Sequence, residues 1–116
     1  MSEREWKLYI KDIVECINKI NDYIGKMSKE EFLNDDKTFD AVMRNLEIIG
    51  EAVKLIPSSV KEEYGSIEWK KIAGLRDIII HGYFGINADL IWNVITEKIP
   101  ELKSKIDIVA GELGIE

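Results

Sequence analysis

Apolar residues recur at every third and fourth position through almost all of the 116-residue chain. That spacing draws one stripe along an α-helix and does not fit the alternation of a half-buried strand. Trp6, Tyr9, Ile10, Ile13, Ile17, Ile20 and Ile24 predict a first long helix, with Gly25 as its stop. Ser28 followed by Glu31 is a capping-box pattern for one short helix. Phe39, Val42, Leu46, Ile49, Val53 and Ile56 predict a second long helix from Asp36 to Ile56, ended by Pro57. Ser58 or Ser59 is expected to cap a further turn or two, and Ser66 to cap a helix carrying Trp69, Ile72, Leu75 and Ile79. The run Ile78–Ile80 is β-branched, but no partner strand is legible elsewhere, so helix is expected there too. From Asn87 to Leu113 the residues Leu90, Ile91, Val94, Ile95, Ile99, Leu102, Ile106, Val109 and Leu113 keep register around Pro100. The proline predicts a kink, or a second helix beginning near Ile99. Together these segments predict an all-α, up-and-down helical bundle of four to five main helices, with residues 1–116 as one domain.

Charge narrows the choice of partners. The net charge is −6, which argues against a broad electrostatic grip on nucleic acid. Any RNA contact must be local, or doubled by symmetry in an oligomer. No apolar run reaches the length needed to span a bilayer, and the N-terminus is charged at once, so neither membrane nor signal peptide is expected. Cys16 is the single cysteine and reads as a small core residue in a reducing cytoplasm. No His, Asp and Glu group stands at metal-ligand spacing, so neither metal nor cofactor is expected.

The stretch that departs from plain packing is "LRDIIIHGYFGI", Leu75 to Ile86. It holds the only histidine, His81, together with Arg76, Asp77 and Tyr83. On a helix Asp77 and His81 are four apart and can touch. Arg76 and His81 are five apart and converge only if the helix ends near His81, for which Gly82 is well placed, or if two chains share the site. An arginine can bind a phosphate through two parallel hydrogen bonds and stabilise charge building on it. An imidazole titrates near neutrality and can move a proton there, and an aspartate beside it would orient the ring. These residues suit phosphodiester chemistry. They also suit a histidine that merely caps a helix and an arginine in a surface ion pair. Glu51, on the second long helix, is placed to salt-bridge Arg76 or simply to face solvent, and Gly50 to admit a close helix or merely to be tolerated.

Arg76-x4-His81-x-Tyr83 resembles the R-x4-H-x-Y signature of HepT-like HEPN-domain toxins. "RNLEIIGEAVKLIP" (Arg44–Pro57) is similar to the family's second long helix, and "IWNVITEKIPELK" (Ile91–Lys103) to the segment after the motif. The match runs through nearly the whole chain in order. The resemblance implies an all-α HEPN fold and a homodimer whose arginines and histidines line a shared cleft. It further implies a metal-independent endoribonuclease that is the toxin of a type VII toxin–antitoxin pair, with Arg76 and His81 catalytic. The implied partner is an MNT-type (MntA-like) nucleotidyltransferase antitoxin, which silences the toxin by AMPylation of Tyr83. Many relatives carry asparagine directly after the motif arginine; this chain carries Asp77. Two further readings stand beside this one: a non-catalytic helical subunit that docks a nucleotidyltransferase and nucleotide without cutting RNA, and a plain helical dimerisation module.

Overall fold

A computed structural model describes residues 2–81 and 88–115, the side chains of residues 80 and 81 excepted. Every regular element among the described residues is helical: α1 (Glu3–Ile24), α2 (Lys29–Leu33), α3 (Asp36–Leu55), α4 (Ser58–Glu63), α5 (Trp69–His81), α6 (Ala88–Asn93), a π-helical turn (Val94–Lys98) and α7 (Ile99–Glu112). The all-α expectation holds, and so does the helical reading of Ile78–Ile80.

The helix ends follow from local chemistry. Ser2 caps α1, accepting from the Glu5 amide, and Gly25 ends it at φ 52°, a conformation that side chains resist. The Ser28–Glu31 capping box forms in both directions. Asp35 caps α3 through the Thr38 amide, and Ile56 turns extended just ahead of Pro57. Two serine caps are not observed. Pro57 occupies the cap position of α4, with Ser58 already helical and no side-chain cap bond. α5 starts at Trp69 rather than at Ser66, whose carbonyl accepts from Lys105 instead. With proline at the cap position, Ser58 falls at the first helical position, past the place from which a cap side chain accepts from the first-turn amides.

Pro100 falls at the start of α7, where its missing N–H would have no partner anyway. The π-helical turn directly before it absorbs the irregularity, so α6, the turn and α7 follow one another without a break.

One apolar cluster unites the helices. α1 contributes Ile10, Ile13, Cys16, Ile17, Ile20 and Ile24; α3 contributes Val42, Met43, Leu46, Ile49, Ala52 and Val53. Phe32 is fully enclosed, with its ring against Phe39 and Trp92. Cys16 is buried and burial pushes its thiol up, as the core reading requires. Trp69 is buried too, its indole N–H donating to the Tyr64 carbonyl, and Trp92 packs on the core, so neither stands out as a platform for a base. Leu90 departs from its expected core register and is 42% exposed. Asn45 is the buried polar side chain among the described residues, and it donates to the Ala41 carbonyl. α3 packs against α1 and α5, and α1 packs against α7. No helix among the described residues is long and apolar enough to cross a membrane.

Candidate active site at the α3–α5 contact

Arg76 leaves α5 directly opposite Gly50 of α3. A Cβ on Gly50 would stand 2.8 Å from the Arg76 Cβ and 3.2 Å from its backbone nitrogen. Glycine at that position is therefore required by the approach of the two helices. The root of Arg76 is fixed by backbone, not by side-chain packing.

Its guanidinium is fixed by charge. Arg76 Nε lies 2.6 Å from Glu51 Oε2, the residue after Gly50, so the expected Glu51–Arg76 pair is formed. Holding the arginine by Nε leaves its terminal nitrogens, with Nη1 only loosely held at 3.7 Å from Asp77 Oδ1, as the atoms that can reach a phosphate. The arginine side chain is 33% exposed, reachable but not free to wander.

Asp77 pairs across the helix crossing, and its expected contact with the His81 side chain lies outside the described residues. Its Oδ1 accepts from Lys54 Nζ at 3.1 Å and stands 3.7 Å from Arg76 Nη1. Glu51 and Lys54, one helical turn apart on α3, thus clamp Arg76 and Asp77, which are adjacent on α5. The carboxylate of Asp77 is balanced by Lys54, so it does not leave a bare negative charge beside the arginine. Lys54 was not singled out in the sequence; its spacing of three places it on the Glu51 face of α3 but names no partner across the crossing.

α5 is described as far as His81, five residues beyond Arg76. The His81 side chain, Gly82 and Tyr83 lie outside the described residues.

Arg76 also lines a groove of about 270 Å³ with Tyr9 and Asp12 of α1 and Arg44, Glu47, Ile48, Glu51, Ala52 and Leu55 of α3. Burial, and next to it the neighbouring Glu15 charge, push the Asp12 carboxyl up from its ordinary range. Arg44, Tyr9 and Asp12 were not singled out in the sequence as site residues. Arg44 stands seven residues from Glu51, in line with it on α3, which is a legible signal only once Glu51 is known to matter.

Fold and groove together define a class: an all-helical protein with an ion-paired arginine presented at the close crossing of two helices. Comparison with known proteins makes this specific, for the chain belongs to the Ribonuclease HepT-like family, whose pattern it matches over residues 13–109. It is 43% identical over 105 residues to a Thermococcus cleftensis protein described as a probable ribonuclease HepT, covering 90% of this chain and 96% of that one. It is 40% identical over 116 residues to a candidate RNase of Methanocaldococcus jannaschii, covering 97% and 96% of the two chains. A candidate RNase of Caldanaerobacter subterraneus is 40% identical over 98 residues, 84% of this chain and 88% of that one. No solved structure matches the chain significantly.

Proposed function

We propose that the protein is a metal-independent endoribonuclease acting through Arg76 and His81. The observation that carries this reading is the Glu51-held Arg76, on the helix that also carries His81, in a chain of a ribonuclease family. His81 takes the proton of a ribose 2′-hydroxyl, and the oxygen attacks the adjacent phosphorus. The bond to the 5′-oxygen breaks, that oxygen receives a proton, and the products are a 2′,3′-cyclic phosphate and a 5′-hydroxyl end. Arg76 neutralises the charge that builds on the non-bridging oxygens. A two-fold homodimer would supply a second histidine for the second proton transfer, and would bring two Arg76 side chains to one cleft on an otherwise acidic protein. Asp77, with Glu51, belongs to the framework that orients this pair.

The same reading makes the chain, as a single HEPN-like unit in the cytoplasm, the toxin of a two-gene pair. An MNT-type nucleotidyltransferase antitoxin would transfer AMP from ATP to the Tyr83 hydroxyl, releasing pyrophosphate. The attached phosphodiester would then compete with RNA for Arg76.

The deciding experiment is cleavage of mixed cellular RNA by purified, unmodified protein in EDTA, with end-group analysis. Wild type should cut and leave cyclic phosphate ends; Arg76→Ala and His81→Ala should each lose about 10²–10³-fold in rate. An intact, unmodified wild type that leaves RNA whole, yet binds the nucleotidyltransferase tightly, would replace this reading with the non-catalytic binding subunit.

A further inference from the structure

Arg44 stands out once the charges of the groove are followed one by one. The chain has three arginines, and two of them, Arg44 and Arg76, line the same groove, which no lysine lines. Of these two, Arg76 is paired with Glu51. Arg44 is exposed and has no acidic partner within 4.0 Å among the described residues, although Asp12, Glu47 and Glu51 border the same groove. An arginine left unpaired beside three acids keeps its whole planar fork available for an incoming anion.

Its placement fits one kind of anion. Arg44 lies seven residues before Glu51 on the same α3 face, about 10 Å along the axis from the point where Glu51 grips Arg76. That is close enough for the two arginines to hold phosphates of one strand. Tyr9 is half-buried in the same groove and offers a ring on which a base can stack, the combination by which single-stranded nucleic acid is held. Asp12 and Glu47 confine the positive surface to these two points, which suits a threaded strand better than a broad duplex face.

We propose that Arg44 is a second phosphate-binding residue, and that a single RNA strand gripped at Arg76 runs along α3 to it. This inference rests on the ribonuclease reading and adds to it a direction for the substrate strand. Arg44 acts in binding: its contact is made equally before and during the reaction, so its loss should appear in KM.

The test combines cleavage kinetics with the salt dependence of binding to a short single-stranded RNA. Wild type is compared with Arg44→Ala, Arg44→Lys and, as a charge control in the turn after α1, Lys26→Ala. Arg44→Ala should lower the slope of log affinity against log salt by about 0.7 and raise KM about tenfold while kcat changes little. Arg44→Lys should restore the slope but only part of the KM, because a lysine lacks the fork. Lys26→Ala should leave both at wild type. Alanine at an exposed helical site should be tolerated by the fold, and the lysine variant keeps the question answerable if it is not. Wild-type slope and KM in Arg44→Ala, or a loss confined to kcat, overturns the inference and leaves the ribonuclease reading standing. RNA neither bound nor cut by wild type overturns both.

Discussion

On one side α3 meets α1 through isoleucine, leucine and valine side chains; on the other it meets α5 with no side chain at Gly50 and ion pairs at Glu51 and Lys54. The first contact is thick and apolar. Its strength scales with the area withdrawn from water, and it tolerates small lateral adjustment among similar side chains. The second is less deeply apolar and adds ion pairs. Among the described side chains of α5 Trp69 and Ile79 are buried, while Ile72, Ala73 and Leu75 are only partly buried against the core. Exposed ion pairs contribute little stability each, so the α3–α5 pairs are better understood as positioning. A free arginine loses about 2 kcal/mol of side-chain entropy when it is ordered. Close backbone approach and the Glu51 pair remove part of that loss before any ligand arrives. One helix thus carries stability on one flank and geometry on the other.

The comparison breaks most sharply if each flank is damaged separately. Ile17 is fully buried on α1, and Ile17→Ala should cost about 2–5 kcal/mol of stability by lost transfer energy and a residual cavity. Urea unfolding should show the midpoint shift, while RNA cleavage per folded molecule stays at wild type. A comparable fall in the activity of the folded fraction would mean that the apolar flank also sets the geometry of the site.

Gly50→Ala probes the point where the two functions meet. Alanine is the better helix former by about 1 kcal/mol. The new Cβ, however, would meet the Cβ and backbone of Arg76, which cannot swing aside as the tip of a flexible side chain could. Overpacking of this kind costs about 1–3 kcal/mol, so a net loss of up to about 2 kcal/mol is expected from the two opposed effects. Arg76 should move with α5, and cleavage should fall further than that stability loss explains. Urea unfolding and single-turnover cleavage on the same sample separate the two. A stabilised variant with normal cleavage would show that α5 yields freely and that glycine at residue 50 is incidental.

What the sequence revealed divides along the same line. The apolar flank was legible because a three-four repeat is a statement about one helix at a time, and Ile10, Ile13, Ile17 and Ile20 all fell inside. Gly25, the Ser28–Glu31 box and Pro57 were legible because caps and breaks act within a few residues. The expected serine caps failed because Pro57 takes the cap position ahead of Ser58, and because α5 starts at Trp69, three residues past Ser66. Glu51 and Arg76 could be proposed as a pair, because the family resemblance brought both helices into view. Lys54 and Arg44 could not. Each joins its neighbours only across α3 and α5 or α1, and nothing in the spacing of a single helix says which neighbour that will be.

Lys54 gives the finest test of the polar flank. Its ammonium balances Asp77. Lys54→Met keeps most of the side-chain bulk on α3 but removes that balance, so the Asp77 carboxylate is left to Arg76 Nη1, now 3.7 Å away. An arginine drawn toward Asp77 is a poorer phosphate ligand, and cleavage should fall about two- to fivefold, with stability changed by less than about 1 kcal/mol. Adding Asp77→Asn should restore the rate, because the amide carries no charge to balance. The pair is read as a double-mutant cycle. Additive effects, with no restoration in the double variant, would show that Lys54 and Asp77 are neighbours without being partners. Coupling between them would show that the acid at residue 77 depends on the lysine across the helix crossing.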